Sequence, residues 1–207
     1  MTARVAALGL FAAVVAVSCG GVPKTYYYTL RVPPPPATSD PKTNFVLGVE
    51  HFRAAEMLRD DRIVFYKSPT EVDYYEHHRW STDPATMMTE LAARWLDQMG
   101  IFSEVRVLPS REGVDYKLAG RVLNFEEVDS EGETKGRVAL RLTLVRTRDQ
   151  KVVWTFVRQS EHPAEDRGMA GVVKALNDSN EILLREALGG LAAQVEQDFK
   201  ESQQHPQ

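Results

Sequence analysis

Three successive stretches, Tyr116 to Val128, Arg137 to Thr147 and Lys151 to Ser160, constrain this chain more than anything else in it. In the second, Val138, Leu140, Leu142 and Leu144 alternate with Ala139, Arg141, Thr143 and Val145. In the third, Trp154 and Phe156 alternate with Val153, Thr155 and Val157. Successive strand side chains point to opposite faces, so such alternation demands one covered face and one open face. Ser130-Glu131-Gly132-Glu133 and Asp149-Gln150 supply turn residues between the runs. The pattern predicts a three-stranded antiparallel meander that needs a covering layer.

Two helical segments can provide that layer. Asp83-Pro84 has the N-cap and N1 residue types of a helix start. Met87, Met88, Leu91, Ala92, Trp95, Leu96 and Met99 then hold one face at helical spacing, and Gly100 is a natural stop. A second stripe runs from about Met169 to Phe199 through Val172, Leu176, Leu183, Leu184, Leu188, Leu191 and Val195. Asn177 to Asn180 is a candidate break in it, and Gly189-Gly190 a candidate close backbone approach. Further strands are expected at Tyr26 to Leu30, Phe45 to Val49, Arg62 to Tyr66, Val72 to Trp80 and Phe102 to Leu108. Between the first two, Pro33 to Pro36 forms a stiff spacer. The fold class expected is α+β, one domain, a mostly antiparallel sheet with two main helices packed on one face.

The N-terminus is of a different kind. Arg4 gives a positive charge, Val5 to Val17 form an apolar run, and Ser18 precedes Cys19-Gly20-Gly21. A membrane-spanning helix needs about 20 apolar residues, and this run is shorter and ends in small residues. It reads as a lipoprotein signal peptide over residues 1–18, with Cys19 carrying a diacylglycerol and an N-acyl chain. An ordinary cleaved signal ahead of a free cysteine, and an uncleaved anchor, are the rival readings. The organisation expected is residues 1–18 signal, 19–24 tether, 25–200 α+β domain and 201–207 disordered tail. Gly20, in place of an Asp, points to the periplasmic face of the outer membrane rather than the inner one.

Composition narrows the chemistry. The 207 residues carry a net charge of −4, a poor footprint for nucleic acid. With one cysteine the chain has no disulfide framework and no thiolate zinc site. His77 and His78 beside Glu76 are adjacent on a strand, so they point apart and cannot jointly hold an ion. Glu126, Glu127, Asp129 and Glu131 cluster near a turn and read as a solvated end. No phosphate loop, nucleophile elbow or calcium loop is present in the sequence. The expectation is a non-enzyme, without metal and without cofactor other than the acyl groups on Cys19. Arg79-Trp80, with Tyr75 nearby, reads either as core packing or as a place for a partner to dock.

The order of these residues resembles a known family. Tyr28-Thr29-Leu30 follows the cysteine, then Phe45 to Val49 and Asp61-Arg62-Ile63-Val64-Phe65-Tyr66. Val72-Asp73-Tyr74-Tyr75-Glu76 leads to Arg79-Trp80 and a Pro84-led helix. Gly100-Ile101-Phe102, Val105, Asp115-Tyr116-x-Leu118-x-Gly120 and Phe125 complete the series. It is similar to the ABC-type transport auxiliary lipoproteins, members of paraquat-inducible and other MCE-type lipid transport systems. The departure is Ala16, where a lipobox usually has leucine. The resemblance implies a periplasmic docking component working with an MCE-domain protein, a permease and an ATPase to move lipids or apolar compounds. Tyr75, Arg79 and Trp80 become its candidate docking residues, and homo-oligomerisation stays open. The competing role is a lipoprotein regulator of a cell-wall synthase, or a TolB-like envelope assembly factor.

Overall fold

A computed structural model describes residues 23–36, 41–130 and 132–204. Cys19, the signal peptide and residues 205–207 lie outside the described residues. Among the described residues the sheet has nine strands. In chain order they are β1 (Tyr26–Tyr28), β2 (Val46–Val49), β3 (Arg53–Ala54), β4 (Arg62–Ser68) and β5 (Glu71–Trp80), then β6 (Glu104–Val107), β7 (Tyr116–Ser130), β8 (Glu133–Arg146) and β9 (Lys151–Pro163). Helix α1 (Pro84–Gln98) separates β5 from β6, and α2 (Met169–Gln204) ends the order.

The predicted meander is present. β7 pairs antiparallel with β8 from Tyr116↔Arg146 to Ser130↔Glu133, and β8 pairs antiparallel with β9. The rest of the sheet is built differently. The second edge of β7 takes three short strands one after another, all parallel to it. β2 pairs at Tyr116 to Leu118, β3 at Arg121 and Val122, and β4 at Glu126 to Val128. β6 adds parallel to β2, β5 antiparallel to β4, and β1 parallel to β5. The sheet is therefore mixed, not mostly antiparallel. Alternation specifies which face a residue occupies but is silent on strand direction. Connections decide which strands meet: α1 carries the chain across the sheet from β5, beside β4, to β6, beside β2.

One apolar core joins the sheet to both helices. Leu118, Val122, Phe125, Leu140, Leu142 and Leu144 meet Leu91, Trp95 and Leu96 of α1 and Leu176, Leu183, Leu184, Leu188 and Leu191 of α2. Asp83 caps α1 by accepting the Thr86 N–H at 3.0 Å, and Gly100 ends it with φ +57°. Such a cap contributes about 1 kcal/mol, and the positive φ suits glycine. The Phe52 N–H donates to Thr89 Oγ1 of α1 at 2.9 Å. Phe52 fills the space above Gly120, where a Cβ would stand 2.4 Å from its ring.

Asn177 to Asn180 does not interrupt α2. The Asn177 side chain accepts the Arg31 N–H at 2.7 Å and donates to the Val173 carbonyl at 2.8 Å. The Ser179 hydroxyl donates to the Gly136 carbonyl at 2.7 Å. These polar residues tie the helix to the strands instead of breaking it. Nor does Gly189 meet anything closely, while Gly190 faces the Trp154 ring at 3.4 Å. The close backbone approach is at Gly136, where a Cβ would lie 2.5 Å from the Leu176 nitrogen. α2 also continues through Gln204, into the segment expected as a tail, where the Gln197 amide donates to the Glu201 carboxylate at 3.0 Å one turn on.

Its C-terminal half is clasped to the meander. The Arg146 guanidinium donates to both Asp198 oxygens at 2.7 and 2.8 Å, and the Tyr116 hydroxyl donates to the same carboxylate. Gly136→Ala is expected to push α2 away from β8, at a cost of about 1–3 kcal/mol. A thermal melt should show a drop of several degrees, whereas Gly189→Ala, which has open space, should not destabilise.

Candidate docking face

The three residues marked for docking are not equivalent. Trp80, the last residue of β5, is 0% exposed and packs edge-on against Phe125 with ring centroids 5.1 Å apart. It is a core residue and offers no surface to a partner. Its position under β1, where Tyr28 pairs with Trp80, explains the burial. Arg79 donates to Asp61 at 2.6 Å. Tyr75 donates its hydroxyl to Glu127 Oε2 at 2.7 Å and lies 4.6 Å from the Phe65 ring. Both polar groups are thus engaged within the chain.

What is exposed lies next to them. β1 is an outer strand, and Tyr26 and Tyr27 are 46% and 65% exposed. The Tyr26 ring stacks on His78 at 5.4 Å and 16°, with Lys24 Nζ 5.0 Å from the Tyr26 ring centroid. The Tyr28 hydroxyl hydrogen-bonds His78 Nδ1 at 2.9 Å, and Tyr75 meets the same imidazole edge-on at 5.8 Å. His78 is therefore the hub of three tyrosines, while His77 reaches only Glu76 at 3.9 Å. The result is an aromatic surface with polar tips, beside the point where the chain leaves toward its N-terminus. Rings of this kind give large contact area at low entropy cost. Sequence reasoning read Tyr26-Tyr27-Tyr28 as a strand and missed its exposure, which depends on β1 being outermost.

Of the acidic cluster expected at a solvated end, Asp129 is exposed and Glu131 lies outside the described residues, while Glu126 is buried and Glu127 half-buried. Glu126 is 0% exposed, with its carboxylate accepting from Asn124 Nδ2 at 2.7 Å and the Phe125 N–H at 2.9 Å and ion-paired with Arg137 at 3.6 Å. A bulge between Val122 and Asn124 shifts the facing of the residues beyond it. It leaves Val122 and Phe125 together on the core side and re-aims Glu126. Burial pushes the Glu126 carboxyl above its ordinary value, against the lowering effect of its hydrogen bonds and Arg137. Burial likewise raises Glu127, and the Tyr75 hydroxyl bond pulls it back down. Burial, then Glu127, raises the Tyr75 phenol well above its own ordinary value.

Among the described residues no group of three or more His, Cys, Asp or Glu could hold a metal ion, and no helix is long and apolar enough to cross a membrane. The fold is a small α+β domain with exposed tyrosines on its outer strand β1. Comparison supplies the family. The profile of the ABC-type transport auxiliary lipoprotein component matches residues 28–187, and this chain belongs to that family. A Xanthomonas campestris protein of the DUF330 group is similar in structure, with a TM-score of 0.75 at 23% identity, covering 84% of this chain and 98% of its own. An uncharacterized protein follows at 0.63 and 16% identity, covering 84% of this chain and 99% of its own. These likenesses show the fold. No curated protein matches the sequence.

The raised carboxylates have a pH consequence. A group whose pKa is higher in the fold than in the unfolded chain stabilises below the unfolded value, and that stability is lost as pH rises through the folded one. Glu126→Gln removes one such titration. Its melting temperature relative to the parent should climb as pH is raised from the ordinary carboxylate range, near 4.5, toward neutrality. A constant difference across that window would contradict the assignment.

Proposed function

We propose that this protein is a lipid-anchored periplasmic component of an MCE-type ABC system, docking the machinery that moves lipids or apolar compounds between membranes. The observation that carries the reading is the family match over residues 28–187. The reading makes the protein non-enzymatic. Its energy source is a partner ATPase, reached through a permease and an MCE-domain protein.

Cys19 provides the attachment, with its acyl chains seated in the outer membrane. Each buried methylene contributes about 0.8 kcal/mol and one chain binds only marginally, so several chains make the attachment lasting. The aromatic face supports the docking part of the reading. Tyr26 follows Cys19 by a short stretch, so the anchor and the exposed tyrosines are confined to the same neighbourhood. Of the residues first considered, Tyr75 serves this face by holding His78 and Glu127 in place. Arg79 steadies the end of β5, and Trp80 supports the face from below.

Affinity purification from native membranes should recover an MCE-domain protein together with its permease and ATPase. Recovery of cell-wall synthases or assembly factors alone would refute the reading. Cys19→Ala should release a folded domain and abolish transport, and full transport by the released form would show that position is not its role. Tyr26→Ala with Tyr27→Ala should reduce recovery of the partner while leaving the melting temperature within about a degree or two, as surface changes do.

A further inference from the structure

The open face of the sheet carries an arginine row. β3 and β7 set Arg53 opposite Arg121, and β7 and β8 set Arg121 opposite Arg141. All three are exposed. Residues opposite one another in a sheet have Cβ atoms about 5 Å apart, and like charges so placed repel. Several other arginines are neutralised, Arg62 by Asp60, Arg106 by Glu104, Arg137 by Glu161 and Arg185 by Glu181, and what sets this row apart is that its members stand side by side. Among the described residues no hydrogen bond or ion pair engages the side chains of Arg53, Arg121 or Arg141.

Two of these arginines line a cleft of about 410 Å³ between β3 and the start of α1, together with Arg59. The carboxylate there, Asp83, is already committed to capping α1 through Thr86. Arg59 holds only the exposed Glu56, at 2.7 Å. The cleft wall is apolar where Phe52 and Ala85 line it.

We infer that this cleft binds the phosphate group of an amphiphile. Guanidinium forks pair with carboxylate and phosphate alike, but a carboxylate is planar and offers few directions of approach. A tetrahedral phosphate can accept from several forks at once, which suits Arg53, Arg59 and Arg121 around one space. The apolar wall then receives the group that carries the phosphate, and Arg141 adds positive potential from the next strand. The volume lies within the range of small-molecule sites. The choice of an amphiphile rests on the proposed transport role, but the binding can be measured without any partner.

The test is titration of the full-length protein in nonionic detergent with short-chain phosphatidylglycerol, inorganic phosphate and polyglutamate. Short-chain phosphatidylglycerol should bind best, and Arg53→Gln with Arg121→Gln should weaken it about a hundredfold, the loss of two charge-assisted contacts at about tenfold each. Arg141→Gln should weaken it less. Because the double variant relieves like-charge repulsion, its melting temperature should hold or rise, separating lost binding from lost folding. Unchanged binding in the double variant overturns the site. Equal binding of inorganic phosphate overturns the amphiphile, and preference for polyglutamate overturns the phosphate. In each of those cases recovery of the transport partners would be unaffected, so the proposed function stands or falls separately.

Discussion

β7 has no free edge, and the rest of the molecule depends on that. Along one side β8 pairs with it over its full length. Along the other, β2, β3 and β4 take successive portions. Buried backbone groups must find partners, so a strand this long in the middle of a domain needs both sides covered. The three short strands let the chain do so while leaving the sheet at intervals. In one interval it places Phe52 against Gly120, and in another the turn Glu56–Leu58 closes over β4 and β7. The single bulge in β7 sets the remaining detail, since everything beyond it faces the opposite way from a simple count.

Local signals were legible because they act over a few residues. Asp83, Pro84 and Gly100 bound α1 as their chemistry requires, and the leucines of β8 face the helices as their alternation requires. Signals that depend on distant neighbours were not. Nothing in Val46–Val49 or Arg62–Ser68 announces a parallel partner sixty or more residues on, because a strand's side chains carry no arrow. Glu126 and Glu127 read as solvent-facing because the groups that meet them, Arg137 and Tyr75, come from other strands. Arg53, Arg121 and Arg141 lie on three different strands, and only the register brings them side by side.

The two surfaces are complementary in character. The β1 face is aromatic, with its polar groups tied to one another through His78. The arginine row is charged, and its groups are left without internal partners. The buried Glu126, by contrast, is surrounded by three polar neighbours, as a charge-bearing group inside a domain requires. Family membership explains neither surface in detail, and each rests on its own geometry.

Short β1 also has a mechanical meaning. It joins the sheet through Tyr26↔His78, Tyr27↔Arg79 and Tyr28↔Trp80, and it is the first strand among the described residues. Any tension arriving from that side meets these pairs before it meets the long β7–β8 ladder. Pulled along its axis, β1 resists with all its pairs at once. Pulled sideways, it opens one pair at a time. β1 therefore acts as a fuse: it can peel away and lengthen the leash while the domain behind it stays folded.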